Sequence, residues 1–175
     1  MLLPELLLAG DRQLPTRPIP GTDERLAVVG LGNSRAFKSG DSEVSQRLLS
    51  TFLGHGGSYV DCGGQGAYLV ASIAGTLGHK HSAFLGSYFS GEFRAQSEAA
   101  ANRLRVIKGG RPLDLMHTYP EDGVPNWDVF RGWQEAGLTR HIGLARHNVR
   151  YYDAMMKVCL LYTSDAADES SSVWV

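Results

Sequence analysis

The sequence predicts an α/β fold in which parallel strands alternate with helices. Short apolar runs rich in branched and aromatic residues, which are typical of buried strands, alternate five times with longer segments of helical periodicity. Glycines follow the helical segments and precede the next strand. Because this alternation indicates parallel strands joined by right-handed crossovers, the strands form either an open doubly wound sheet or part of a barrel.

The first strand-to-helix turn favours the barrel. A doubly wound dinucleotide-binding sheet carries G-x-G-x-x-G at this turn, whereas here Gly30-Leu31-Gly32 leads into a long polar loop. The chain has 175 residues, and a whole (β/α)8 barrel usually needs about 250. We therefore predict a (β/α)8 barrel truncated to about five strand-helix units.

The predicted elements begin after a turn-rich lead-in, or a small hairpin, at residues 14–24. Strands are predicted at residues 26–32, 57–61, 83–89, 113–119 and 141–145. Helices are predicted at residues 42–53, 68–77, 93–107 and 127–136, and a last helix is capped by Asn148. The apolar side chains expected to face inward from the helices are Val44, Leu48, Leu49, Phe52, Ala95, Ala99, Leu104, Trp127, Phe130, Trp133, Val149, Tyr152, Met155 and Met156.

The net charge, the apolar runs and the cysteine count limit the kinds of function that the protein can have. The formal net charge is −1 with acidic and basic residues interspersed, which argues against nucleic acid as a partner. No apolar run is long enough to span a membrane. The two cysteines, Cys62 and Cys159, imply no disulfide framework.

Both ends of the sequence differ from its middle, which predicts three parts. Residues 1–16 are leucine-rich and form either a loosely packed leader or the remnant of an export signal. The compartment is accordingly cytoplasmic, or exported if a signal is present. Residues 159–175 resemble the translation of a sequencing adapter and are expected not to belong to the fold, which leaves residues 17–158 as the partial barrel.

The run Gly57-Ser58-Tyr59-Val60-Asp61 ends a predicted buried strand with a carboxylate. Burial of a carboxylate is costly unless it has a partner or a role. In an α/β barrel, the carboxyl ends of the strands are where active sites are built. Asp61 is therefore the first candidate for a functional residue.

Several motifs, in collinear order, resemble the aldo-keto reductase superfamily over residues 17–158. They are Val29-Gly30-Leu31-Gly32-Asn33-Ser34, the strand ending at Asp61, Leu113-Asp114-Leu115-Met116, and the run from Trp133 to Leu144 that contains Ala136-Gly137-Leu138-Thr139-Arg140-His141-Ile142-Gly143. The resemblance implies a (β/α)8 barrel that transfers hydride between NADP(H) and a small-molecule carbonyl substrate. It also implies that this chain covers the first five strands.

The catalytic set of that family is Asp, Tyr, Lys and His, with the tyrosine as proton donor. The resemblance places the aspartate on Asp61. It places the tyrosine on Gly66, with Tyr68 two positions later as the nearest substitute. A free tyrosine has a pKa of about 10, so it needs neighbours that lower this value to act as an acid at pH 7.

The other two catalytic positions are also changed. The lysine of the family falls on Tyr88, and the histidine falls on Tyr119. His117 lies two positions before Tyr119 and is expected on the same face of the strand. The candidate catalytic residues are therefore Asp61, His117, Tyr119, Tyr68 and Tyr88.

The resemblance also implies the residues that would hold the cofactor. Gly32 and Asn33 follow the first predicted strand, and Arg146, His147 and Asn148 follow the fifth. The Ser-Asn pair that often holds the nicotinamide carboxamide falls on Ala145-Arg146, so the polar groups offered here are different.

Three functions remain open. The first is an NADP(H)-dependent oxidoreductase domain that is inactive as this fragment, and the alternative is a pseudoenzyme barrel that serves as a binding or structural module. A third hypothesis is metal-dependent hydrolysis through Asp61, His117 and His147. His79-Lys80-His81 has metal-like spacing but is expected to be solvated, and no metal site is predicted.

Basic residues cluster near the end of the predicted third helix. They are Arg103, Arg105, Lys108 and Arg111. We expect them to complement the helix dipole and not to bind phosphate.

Overall fold

The computed structural model describes residues 14–32, 42–62, 67–74, 83–146 and 148–158. Several predictions lie outside the described residues. They concern the leader up to residue 13, Asn33, Gly66, His79-Lys80-His81, His147 and the tail from residue 159.

Strands and helices alternate along the described chain. The strands are β1 (Thr16–Pro18), β2 (Arg25–Ala27), β3 (Tyr59–Asp61), β4 (Phe84–Tyr88), β5 (Leu113–Thr118) and β6 (Thr139–Leu144). The helices are α1 (Ser42–Gly54), α2 (Ala67–Ala74), α3 (Arg94–Ile107), α4 (Pro120–Gly123), α5 (Trp127–Glu135) and α6 (Tyr152–Val158), with a 3-10 turn at Val149–Tyr151 before α6. The order is that of a parallel α/β fold, as predicted.

The central sheet has four parallel strands in the order β3-β4-β5-β6. Each strand therefore lies beside the next one in the sequence, which is the arrangement of barrel strands. The described strands do not close into a barrel, and they form a truncated α/β fold. The predicted fold class is confirmed.

The predicted hairpin is present, but the first predicted strand is wrong. Residues 26–32 do not form one buried strand, because Arg25–Ala27 pairs antiparallel with Thr16–Pro18 and leaves Val28 and Val29 47% and 49% exposed. Leu31 alone makes a parallel bridge to Val60 in β3.

A close approach of the backbone explains why the strand is interrupted. A Cβ atom at Gly30 would lie 2.6 Å from Cδ1 of Tyr59. The chain therefore crosses the Tyr59 ring at Gly30 and regains its pairing only at Leu31, whose N–H donates to the carbonyl of Tyr59 at 2.9 Å.

One face of the sheet packs against the helices. Val60 of β3, Leu85 of β4 and Met116 of β5 point to this side and are buried with Leu49 of α1 and Phe130 of α5. We call the opposite face the interior face, since it corresponds to the inside of a barrel. Alternation of side chains along the strands assigns every second residue to it.

The interior face has its own apolar cluster near the amino-terminal ends of the strands. Tyr59, Phe84 and Leu115 are buried there, and Ile19 and Leu26 of the hairpin pack against them. The hairpin therefore covers the base of the sheet.

The helix faces agree in part with the prediction. Ala95 and Ala99 are exposed, and the buried positions of α3 are Ser97, Ala101 and Leu104. The inward face of α3 is thus shifted from the predicted one.

The inward face of the last helix also differs from the predicted one. Asn148 caps the 3-10 turn as predicted, and its side-chain oxygen accepts a hydrogen bond from the N–H of Arg150 at 3.1 Å. Val149 and Met156 are nevertheless exposed, and Met155 is buried. The 3-10 turn at the start changes the helical phase, so the 3.6-residue pattern gave the wrong face. Among the described residues, no helix has both the length and the apolarity needed to cross a bilayer.

Candidate active site

The pairing of the strands brings three of the predicted catalytic residues to one side of the sheet. Asp61 is the last residue of β3 and pairs with Gly86, and Tyr88 is the last residue of β4 and pairs with His117. Since paired and alternate residues share a face, Asp61, Tyr88 and His117 all belong to the interior face near the carboxyl ends of the strands.

An aromatic stack extends outward from His117. The Tyr88 ring meets the His117 imidazole edge-on, with ring centroids 4.0 Å apart, and its centroid is 5.1 Å from that of Tyr119. The guanidinium carbon of Arg146 lies 4.7 Å above the Tyr119 ring, and an Arg146 N–H donor is 2.7 Å from a Glu121 oxygen. We call these five residues the mouth cluster.

His117 lies at the buried end of the mouth cluster. Its side chain has no exposed surface, and burial lowers its pKa to about 3. The imidazole is therefore neutral at pH 7, and it meets the Tyr88 ring as an uncharged group.

Tyr88 is a weaker acid than a free tyrosine. Burial first, and then the proximity of Tyr119 and Asp61, raise its pKa to about 12, while Arg146 acts in the opposite direction. Because the negative charge of Asp61 disfavours a phenolate nearby, the Tyr88 hydroxyl stays protonated throughout the physiological range.

Among the described residues, the positive charge that acts on Tyr88 is that of Arg146. Lys108 is the one lysine whose side chain belongs to the described residues, and its ammonium group binds the carboxylate of Asp114 on another part of β5. The structure thus offers a cation for the tyrosine, but Glu121 already pairs with it.

Tyr68 and Tyr119 occupy different environments. Tyr119 is about half exposed at the outer end of the stack. Tyr68 lies in α2, packs against the helix-side core, and has the Arg103 guanidinium carbon 3.8 Å above its ring. The structure therefore brings Tyr119 to the mouth cluster and places Tyr68 in the helix layer.

Two residues of the site were not singled out from the sequence. Tyr59 shares the interior face with Asp61, and its hydroxyl would lie 2.6 Å from a Cβ atom at Gly86. Strand alternation pointed to it, because it stands two residues before Asp61. Glu121 was missed because it belongs to the short helix α4, which the sequence did not predict.

Comparison with solved structures identifies the fold. An aldo-keto reductase from Bacillus halodurans, in its holo form, matches with a TM-score of 0.61 and 17% identity over 81% of this chain. The Klebsiella pneumoniae aldo-keto reductase in complex with NADPH matches with a TM-score of 0.60 and 14% identity over 79% of this chain. The chain has an aldo-keto reductase fold.

The match covers only part of these larger aldo-keto reductases. The chain spans 55% of the Bacillus halodurans protein and 52% of the Klebsiella pneumoniae protein. A Bombyx mori aldo-keto reductase in complex with NADP gives a TM-score of 0.56 and 18% identity, covering 75% of this chain and 50% of that one. Neither the family models nor the curated proteins give a match to the sequence.

The positions that correspond to cofactor residues in the aldo-keto reductase resemblance are only partly described. Gly32 is exposed, and no neighbouring atom of the described residues lies within 4 Å of the position that a Cβ would take there. Asn148 uses its side-chain oxygen as a cap, which leaves its amide group as a donor. Ala145 is buried and has no polar side-chain atom, so the side-chain donors that the structure describes at this end of β6 are those of Arg146 and Asn148.

A metal centre has little support in the described part of the chain. No group of three or more histidine, cysteine, aspartate and glutamate side chains there is arranged to hold a metal ion. Since His147 lies outside those residues, the zinc set of Asp61, His117 and His147 stays a hypothesis and not a predicted metal site.

Proposed function

We propose that this chain is part of an NADP(H)-dependent oxidoreductase that transfers hydride between the cofactor and the carbonyl carbon of a small molecule. The observation that carries the proposal is the placement of Asp61, Tyr88 and His117 on one face, at the carboxyl ends of adjacent parallel strands. Active sites of α/β barrels are built at this end. The fold shared with cofactor-bound aldo-keto reductases supports it.

Tyr88 is the proposed proton donor. Reduction of a carbonyl requires one proton at the substrate oxygen, and Tyr88 is a protonated phenol on the interior face beside Asp61. Because its pKa is raised to about 12, it donates less readily than a tyrosine whose pKa is lowered. We therefore expect slow turnover at most, and none from this fragment.

Arg146 and Asn148 are the proposed cofactor-binding side chains within the described residues. Both follow β6 at the mouth of the site, and both offer N–H donors that fit the carboxamide and phosphate oxygens of NADP(H). Gly32 would allow close approach of the cofactor. When bound, the nicotinamide supplies the hydride, and the protein supplies binding, orientation and the proton.

The test compares this chain with a longer protein that carries it. We expect the chain to bind NADPH, measured by cofactor fluorescence, without oxidising it in the presence of an aldehyde panel. In the longer protein, Tyr88→Phe should lower turnover by roughly 10²-fold or more, the range for a lost general acid. Tyr152→Phe, which removes a phenol from α6, is the matched control and should leave turnover unchanged.

Two results would contradict the proposal. One is a longer protein that does not bind NADPH. The other is turnover that is equal in the wild type and the Tyr88→Phe variant, which would assign the proton to another group.

The second candidate function is a binding or structural module with no catalysis. The observation in its favour is the raised pKa of Tyr88, because an acid tuned in this direction is poorly suited to the reaction. Cofactor binding by the longer protein with no oxidation of NADPH by any aldehyde would select this alternative.

A further inference from the structure

A cavity opens at the base of the sheet, on the side opposite to the mouth cluster. It has a volume of about 360 Å³ and lies between the hairpin and the amino-terminal ends of the strands. This volume falls within the range of about 300–1,000 Å³ that is usual for small-molecule sites. The polar residues lining it are Glu24, Arg25, Ser58, Arg111, Asp114 and Arg140. We call it the base cavity.

The charge of the base cavity is positive. Three guanidinium groups, those of Arg25, Arg111 and Arg140, face two carboxylates, those of Glu24 and Asp114. The buried ammonium group of Lys108 also pairs with Asp114, so the carboxylate of Asp114 is compensated by both Lys108 and Arg140.

The carboxylates of the base cavity are already occupied. One oxygen of Asp114 accepts from the N–H of Leu85 at 2.8 Å and from Lys108, and the other accepts from Arg140 at 3.0 Å. One oxygen of Glu24 accepts from Arg140 and lies 3.2 Å from the ring nitrogen of His141. The acceptors of the cavity are thus largely used.

Arg25 and Arg140 have more N–H donors than their hydrogen bonds to described residues use. An arginine has five N–H donors. Within the described residues, Arg25 donates only two hydrogen bonds, both to Thr16, and Arg140 donates one each to Asp114 and Glu24. The Ser58 oxygen accepts from the N–H of Ala27 at 3.2 Å, which leaves its hydroxyl proton to donate.

We propose that the base cavity binds an oxyanion, a phosphate group carried by a small molecule or free phosphate, between Arg25, Arg111 and Arg140. Excess N–H and O–H donors with compensated carboxylates are the composition that such an anion needs, and guanidinium groups match its oxygens in pairs. The basic residues near the end of α3 did not predict this, because Arg25 and Arg140 come from distant strands.

The network around Asp114 makes the site rigid before any ligand arrives. Arg140 is held from two sides by Asp114 and Glu24, and Arg25 is held by Thr16. Donors that are fixed in advance lose little conformational freedom on binding. The hairpin thus acts as one wall of a preformed site.

The test measures binding of inorganic phosphate to the full chain at constant ionic strength, by isothermal titration and by the shift of the unfolding midpoint. We expect phosphate to bind more tightly than acetate. Arg111→Gln and Arg25→Gln should each weaken it by roughly ten- to a hundredfold, as expected for a lost hydrogen bond to a charged group. Arg131→Gln on α5 removes the same charge elsewhere and should not alter it.

A second variant, Arg111→Lys, keeps the positive charge, so it tests the role of Arg111 even if Arg111→Gln does not fold. We expect it to weaken phosphate binding less than Arg111→Gln does, since the paired donors are lost but the charge is kept. Equal binding of acetate and phosphate, no binding beyond that of chloride, or an equal loss in Arg131→Gln would each overturn the proposal. None of these outcomes depends on NADPH binding at the mouth.

Discussion

At the scale of single residues, His117 makes the stability of the protein depend on pH. Burial lowers its pKa to about 3, whereas an unfolded histidine has a pKa of about 6.5. Between these values the unfolded chain binds one more proton than the folded chain. The titration of His117 therefore lowers the free energy of unfolding on acidification below pH 6.5, by about 1.4 kcal/mol per pH unit in this window.

The variant His117→Gln should remove this slope, because glutamine does not titrate and retains hydrogen-bonding groups. Urea unfolding at several pH values between 6.5 and 4 measures the effect. The control is His55→Gln, which removes an exposed histidine at the end of α1. A slope that is unchanged in His117→Gln would show that other groups cause the acid sensitivity.

The individual residues of the site were predicted unevenly from the sequence. Asp61, Tyr88, His117 and Tyr119 were predicted from strand alternation and the family resemblance, and they lie near one another in the structure, while their roles stay predictions. Glu121 and the Arg146–Tyr119 contact were not found, because they depend on the geometry of a short helix and a loop. Such contacts follow from tertiary packing and leave no periodic signal in the sequence.

At the scale of elements, a buried ion pair joins the end of α3 to β5. Lys108 is almost fully buried and binds Asp114, and burial lowers the pKa of the ammonium group even though Asp114 acts in the opposite direction. We expect Lys108→Met to destabilise the fold by about 3–5 kcal/mol, because Asp114 loses a charge partner in a buried place.

Denaturant unfolding checks this prediction. Arg94→Met removes an exposed cation from the same helix and should change stability by no more than about 0.5 kcal/mol. A loss in Lys108→Met as small as that of the control would show that Arg140 and the N–H of Leu85 satisfy Asp114 by themselves.

Element order and type were predicted well, and the reason is physical. The strands β3 to β6 each bury apolar residues, such as Val60, Leu85, Met116 and Leu144, and Gly137 follows α5 with a φ of 69°, which favours glycine. The prediction of the first strand was wrong because a local apolar run does not reveal that the chain passes close to the Tyr59 ring at Gly30. The predicted inward face of α6 was wrong because the apolar pattern does not reveal the 3-10 turn that precedes the helix.

At the scale of the whole molecule, the two edges of the central sheet differ in how many backbone hydrogen-bonding partners they have. Within the described part of the chain, β6 has one strand neighbour, and Leu31 contributes a single bridge beside β3. Val28 and Val29, next to that bridge, are 47% and 49% exposed. Unpaired sheet edges with apolar flanks favour association between chains.

We therefore expect this chain to associate as its concentration rises, and sedimentation velocity measures it. Val28→Lys combined with Val29→Lys should reduce association, because lysines on an edge hinder strand pairing. The control is Val106→Lys on α3, where the valine is 77% exposed but far from either edge in the sheet order. A monodisperse wild-type chain at high concentration would contradict the expectation.

Glu24 and Arg140 are 116 residues apart in the sequence, yet they join the hairpin to the last strand. Contacts of such separation form late, since the entropy of closing the intervening loop must first be offset by other interactions. During synthesis the hairpin is therefore made long before the strands that it contacts. Until β3, β4 and β5 are made, Ile19 and Leu26 lack the apolar side chains that they cover, and the nascent chain exposes both of them to the solvent.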